Sequence, residues 1–267
     1  MIPNVLTIAG SDPSGGAGIQ ADLKTFSALG AYGMSAITGL TAQNTIGVRS
    51  VFPIPADFVA AQLDAVFDDV RVDAMKIGML ADASVVTAVA SVLAARRPPF
   101  VVLDPVMVAK SGDRLLAATA VSALRDELIP LVHLITPNLP EAADLLDVDE
   151  AATEDEMLAQ LGALSAAGPD VLLKGGHLGG TESPDLYLEA PGVAVQRLSA
   201  VRVETKNDHG TGCTLSSAIA ALRPQRPDTL SAIRDAKAYL TGALAAASAL
   251  SVGSGHGPVH HFHQWWR

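Results

Sequence analysis

The chain has 267 residues, with 18 basic against 28 acidic side chains, a net charge of −10, and 49% hydrophobic residues. That length can bury the core of one large α/β domain, and the acidic balance leaves no electrostatic footprint for nucleic acid or an anionic membrane. A single cysteine excludes an internal disulfide, and no run approaches the roughly 20 large apolar residues of a membrane span. Met1-Ile2-Pro3-Asn4 opens without the features of a secretory leader, so a soluble cytoplasmic enzyme is expected.

Short β-branched runs alternate with longer stretches of helical period. Strands are predicted at Val5–Ala9, Gly33–Thr38, Ala74–Ile77, Phe100–Leu103, Leu131–Ile135 and Val171–Leu173. Helices are predicted over 17–29, 56–69, 83–96, 115–128, 139–146, 154–167, 212–222 and 229–250. Strands this apolar are covered on both faces, so an α/β fold with a mostly parallel sheet between two helical layers follows. Asp185–Val203 breaks the alternation and reads as a hairpin at the sheet edge. No repeat or linker marks a boundary, so 1–267 is expected to form one domain. The longest apolar stretch, Leu240–Val252, is mainly Ala and Ser and reads as a packed helix.

Ligands of open α/β sheets lie beyond the carboxyl ends of the strands, so the residues after each strand carry the functional reading. After the first comes Ala9-Gly10-Ser11-Asp12-Pro13-Ser14-Gly15-Gly16-Ala17-Gly18-Ile19-Gln20-Ala21-Asp22. Gly16-x-Gly18-x-x-Ala21 formally matches a dinucleotide fingerprint, but the second strand runs into Thr38-Gly39-Leu40-Thr41-Ala42-Gln43-Asn44 with no acid for a ribose. The glycines suit close approach to a small substrate, with Gln43 and Asp22 as polar contacts; Asp22 equally fits a solvated acid in the first turns of a helix. Lys76-Ile77-Gly78-Met79-Leu80 and Asp104-Pro105-Val106-Met107 follow. Asp104, placed by Pro105 at the open sheet end, suits a metal or phosphate as well as a loop cap, and Met79 and Met107 suit either core or the faces of a flat ring. Lys110-Ser111-Gly112-Asp113 is a polar loop.

Thr136-Pro137-Asn138-Leu139-Pro140-Glu141 places Asn138 and Glu141 three apart at a helix start. The spacing fits water-mediated Mg²⁺ binding and equally a capping box. Lys174, in Lys174-Gly175-Gly176-His177, emerges from a buried strand and calls for an anion, either a nucleotide phosphate or a salt-bridge partner. Asn207-Asp208-His209-Gly210-Thr211-Gly212-Cys213-Thr214 then runs into an Ala-rich helix whose first N–H groups form an anion cradle. Cys213 sits where a thiol loses its proton more easily, although a lone cysteine also serves as a small buried hydrophobe. The histidines between His256 and His263 lack paired ligands elsewhere, and the tail is read as packed by Trp265 and Trp266.

Taken in order, these motifs resemble the hydroxymethylpyrimidine (phosphate) kinases of thiamine biosynthesis, over nearly the whole chain. The resemblance implies a ribokinase-like three-layer α/β/α sandwich, a homodimer, and ATP with Mg²⁺ as cofactors. It implies phosphorylation of 4-amino-5-hydroxymethyl-2-methylpyrimidine and then of its monophosphate. Pyridoxal or pyridoxine phosphorylation is the alternative within the class, and a dinucleotide-binding oxidoreductase the alternative outside it. By the same resemblance Gly210, Gly212, Cys213 and Lys174 are catalytic, and Glu141 and Asp104 face the metal. Lys174, Asn138, Thr211 and Asp104 hold the nucleotide, and Gln43, Asp22, Gly10, Met79 and Val106 form the pyrimidine site. Asp208 stands where the family usually carries Thr, adding negative charge near the phosphates.

Overall fold

Val5, Leu6, Ile8 and Ala9 are all buried, as a strand with helices on both faces requires. The computed structural model describes residues 1–108, 116, 118–192 and 194–266, and the polar loop 110–113 lies outside them. In chain order the elements are β1 (Asn4–Gly10), α1 (Gly18–Ala28), β2 (Tyr32–Gln43), β3 (Val48–Pro53), α2 (Ala56–Asp69), β4 (Ala74–Ile77) and α3 (Ala83–Arg96). They continue with β5 (Val101–Leu103), α4 (Ala118–Ala123), β6 (Leu134–Ile135), α5 (Leu139–Leu146), α6 (Glu154–Ser165) and β7 (Asp170–Lys174). The chain closes with β8 (Asp185–Leu188), β9 (Val195–Leu198), α7 (Thr211–Leu222) and α8 (Thr229–Ala245).

The strands form one sheet in the order β3-β2-β1-β4-β5-β6-β7-β8-β9. Pairs from β2 through β7 are parallel, and the β2–β3, β7–β8 and β8–β9 pairs are antiparallel. Alternate strand residues feed two cores. Leu6, Ile8, Met75, Ile77 and Leu103 meet α2, α3, α5 and α6, whereas Val5, Ala74, Val102 and Leu172 meet α1, α7 and α8. The chain leaves β1 toward β2 and leaves β4 toward β5. The order therefore reverses between these two neighbours, and their carboxyl ends open the crevice where such sheets bind ligands.

The predicted hairpin is β8–β9 at one edge. At the other edge the structure adds β3, whose residues are mostly exposed and so lack the apolar run that betrays a covered strand. One expectation is corrected. Leu240–Val252 is not one helix: α8 ends at Ala245, a 3-10 turn spans Ala247–Ala249, and the chain then leaves to bond Thr45 through Gly255 and His256. The Trp rings do pack the tail while staying 67% and 59% exposed: Trp266 stacks on Phe262 with ring centroids 4.8 Å apart, and Trp265 Nε1 donates to the Ala28 carbonyl at 3.2 Å. The deepest burial falls on Val259, His260 and His261, where the His261 carbonyl accepts from Tyr239 at 2.6 Å and its Nε2 lies 3.1 Å from Thr214 Oγ1.

Candidate active site

The start of α7 has no side-chain cap, and its N-cap, Gly210, adopts φ +80°, a left-handed conformation that favours glycine. A Cβ at 210 would also collide with the carbonyl oxygen of Gly16, so the two glycine-rich stretches are in contact. Asp12 ties them together. Its carboxylate accepts from the backbone of Ser14, Gly16 and Ala17 at 2.9–3.2 Å and from the Ser14 hydroxyl at 2.7 Å, and it lies 2.8 Å from His209 Nε2. Burial opposes the charge, but the bonds from His209 and Ser14 hold the carboxyl below its usual range. The fingerprint-like glycines are thus committed to packing the first loop against the α7 turn.

Beyond β5, β6 and β7 the charged residues converge. Backbone bonds from Asp104 to Ile77, Thr136 to Leu103 and Lys174 to Pro137, all 2.8–2.9 Å, carry the sheet ladder past the strand ends and fix their side chains. Lys174 Nζ is 3.0 Å from Asp104 Oδ1 and 4.0 Å from Glu141 Oε2. Asn138 and Glu141 do form a capping box, with both reciprocal bonds at 2.8 Å. The capping box is thus formed, and Glu141 still faces Lys174. Burial, with the neighbouring Asp104, pushes Glu141 up to about 7 despite Lys174. Burial also works against Lys174, yet Asp104 and Glu141 together raise it. Gly212 caps this cluster: a Cβ there would stand 3.3 Å from Asp104 Oδ2 and 3.5 Å from Lys174 Nζ.

Beside the cluster opens a cavity of about 500 Å³ lined by Asn138, Lys174, Thr211 and Gly212 on one side and by Val201, Val203, Leu240 and Leu244 on the other. The apolar wall was invisible in the sequence because it joins the β9–α7 loop to α8. Asp208 also lines the cavity, and its Oδ1 lies 3.0 Å from His256 Nδ1.

At the β1 and β2 ends, Met79 lies against Gly10, where a Cβ would meet its Cε, and its Cε would stand 3.3 Å from a Cβ on Gly39. The Thr38 hydroxyl donates to the Met79 carbonyl at 2.5 Å. Thr41 Oγ1 lies 2.8 Å from the Ser11 carbonyl and 3.2 Å from Gln43 Oε1, which places Gln43 beside the residue that follows Gly10. Val106 is half-buried on the turn after Asp104.

Two expectations fail here. Asp22 is neither a surface acid nor positioned to touch a substrate. It is fully buried, with both oxygens 3.0 Å from Lys76 Nζ and further bonds from Thr7 and Ser217. Nor is Cys213 an acidic thiol. Part of the residue reaches solvent, but burial pushes the thiol up to about 11, with Lys76 pulling it back and Asp22 and Asp104 adding to the rise. The partner of Asp22, Lys76, carries its own signal in the sequence, because a lysine within a strand covered on both faces demands a buried partner.

Comparison with known proteins places this geometry. The family described as phosphomethylpyrimidine kinase matches residues 12–260. Hydroxymethylpyrimidine/phosphomethylpyrimidine kinases of Salmonella typhimurium and Escherichia coli are 62% and 61% identical over 264 residues, 98% of each chain. A pyridoxal kinase from Bacillus subtilis, solved as an ADP complex, superimposes with a TM-score of 0.90 at 36% identity, covering 99% of both chains. The phosphomethylpyrimidine kinase of Clostridium difficile gives 0.80 at 41% identity, covering 91% of this chain and 99% of that one. Fold and site define a kinase of the ribokinase-like class. Within that class the chain belongs to the phosphomethylpyrimidine kinase family. Membership removes the oxidoreductase alternative.

Proposed function

We propose that this enzyme transfers the γ-phosphoryl group of ATP to 4-amino-5-hydroxymethyl-2-methylpyrimidine and then to its monophosphate, producing the diphosphate used for thiamine. The observation that carries the reading is the convergence at residue 212. A partly buried ammonium and a buried carboxylate meet the uncapped start of α7 there, beside a cavity of nucleotide size. Catalysis in such a site is positioning and charge neutralisation. The base sits against Val201, Val203, Leu240 and Leu244, and Lys174 with Thr211 holds the phosphates. The N–H groups at 210–213 meet the charge that grows on the transferring oxygens.

The donor set fits Mg²⁺. Asp104 and Glu141 face a single ammonium, and burial, with Asp104 beside it, pushes Glu141 up to about 7, a rise that a bound cation would offset. Asp104, Glu141 and, through water, Asn138 would hold the cation, which when bound neutralises phosphate charge. Gln43 reads the ring nitrogen and adjacent amine, with Gly10, Met79 and Val106 lining the ring site. Cys213 accepts the proton of the alcohol.

The reading extends to a cytoplasmic homodimer with the whole chain as one kinase unit. Leu40 and Phe52, cross-strand partners on the outer β2–β3 pair, are 45% and 66% exposed and offer an apolar face to a second copy. The likeness to pyridoxal kinases makes a pyridoxal-type alcohol the second acceptor to try. Product analysis with ATP and hydroxymethylpyrimidine decides: successive mono- and diphosphate are expected, and turnover confined to pyridoxal would reject the assignment.

A further inference from the structure

Beneath Cys213 lies a charged pair that phosphate binding does not use. Lys76 and Asp22 have no solvent exposure, and Nζ lies 3.0 Å from each carboxylate oxygen. Buried pairs of this kind are often no more stabilising than apolar residues of the same volume, so stability alone does not account for it. The pair is also built into the helix that carries Cys213. Cys213 and Ser217 are four apart on α7 and so share one helix face. Ser217 donates to Asp22 at 2.7 Å, a rung between α7 and α1 one turn along from Cys213. Lys76 reaches that rung from β4, and a Cβ at Gly78 would stand only 2.7 Å from its ammonium.

We propose that Lys76 and Asp22 are positioning residues for phosphoryl transfer to the alcohol, acting through Cys213: the ammonium steadies negative charge on the sulfur, and the carboxylate tethers both ammonium and helix. The inference rests on the reading of Cys213 as proton acceptor. In that step the hydroxyl oxygen bonds the γ-phosphorus, the bond to the bridging oxygen breaks, and ADP leaves with its electron pair. The hydroxyl proton passes to a sulfur that must already be negative. Burial opposes that charge, as do Asp22 from α1 and Asp104 from the turn after β5, the latter partly matched by Lys174 of β7. Lys76 is the cation that favours it. The monophosphate acceptor is already ionised and makes no such demand.

Cys213 is the only cysteine, so alkylation of the full chain by iodoacetamide reads this thiol alone. Between about pH 8 and 10 the rate follows the thiolate fraction. Lys76→Met is expected to slow alkylation, and Asp22→Asn to speed it, each by about tenfold or more. The pH profile of alcohol phosphorylation should move the same way in each variant, while that of the monophosphate stays put. If thermal melts show a single variant unfolded, the Lys76→Met/Asp22→Asn double variant, neutral and nearly isosteric, replaces it; slower alkylation than wild type is expected, because Lys76 acts on the thiol more strongly than Asp22. Unchanged alkylation in folded variants, or shifts of one sign, overturns the inference and leaves Cys213 as base untouched. Opposed alkylation shifts with an unmoved alcohol profile overturn the base role, and the catalytic part of the inference with it.

Discussion

Replacing Cys213 with Ala separates the two phosphorylations, and the structure sets the size of the effect. With the thiol pushed up to about 11, roughly one molecule in 10⁴ carries the thiolate at pH 7, and the fraction rises about tenfold per pH unit up to that value. A fully competent general base contributes about 10²–10⁴-fold to transfer from an alcohol. The two factors nearly cancel at pH 7, where the wild-type to mutant ratio should be no more than about twofold. At pH 9 the thiolate fraction is about 10⁻², and the same arithmetic lets the ratio climb toward about 100-fold. The monophosphate has its second pKa near 6 and needs no base, so its ratio should stay close to one throughout. Single-turnover rates with each acceptor saturating, measured from pH 7 to about 9.5, give both ratios. Equal ratios for the two acceptors, flat with pH, would show that Cys213 shapes the turn and removes no proton.

Gln43→Ala should weaken pyrimidine binding by roughly 5- to 150-fold, the consequence of about 1–3 kcal/mol for a half-satisfied polar pair, while ATP affinity measured by calorimetry stays unchanged. Lys174→Ala should lower turnover with both acceptors to a similar degree, because each step moves the same γ-phosphoryl group; loss confined to one acceptor would contradict the phosphate assignment. Glu141→Gln should raise the Mg²⁺ concentration needed for half-maximal rate, read from a magnesium titration at saturating ATP. Asp12→Asn should cost about 1–3 kcal/mol, a drop of roughly 2–10 °C in melting temperature. Because the Asp12 carboxyl is held below its usual range, that stability is present above about pH 4 and fades as pH falls through the lower native value. Wild type and variant should therefore converge in acid, and a gap that persists there would assign the loss to packing.

The layered fold was legible because it rests on local patterning. Ala74–Ile77 is fully buried and apolar but for one residue, and both helix and strand predictions around it stand within a few residues. The strand at Val48–Pro53 escaped because its exposed face shows neither alternation nor an apolar run. The charged cluster was legible residue by residue: Asp104, Glu141, Lys174 and Gly212 each end or follow a strand or open a helix, and topology gathers such positions beyond the carboxyl ends of the strands. Their interplay was harder to see. Nothing local in Asp22 distinguishes a solvated helix acid from the counter-ion of a lysine 54 residues away, and Asp12 meets His209 across 197 residues. The reading of Cys213 failed for the same reason. A helix start favours the thiolate wherever it occurs, but the desolvation that overrides it depends on how tightly α1, β4 and the turn after β5 close around the sulfur. The one exception hidden in plain view is Lys76: a cation inside a strand otherwise apolar and covered on both faces must have a buried anion, and Asp22 on the inward face of α1 supplies it. The demand for that anion needs only the sheet's two-sided burial, and it leads from a strand pattern to the charged pair beneath Cys213.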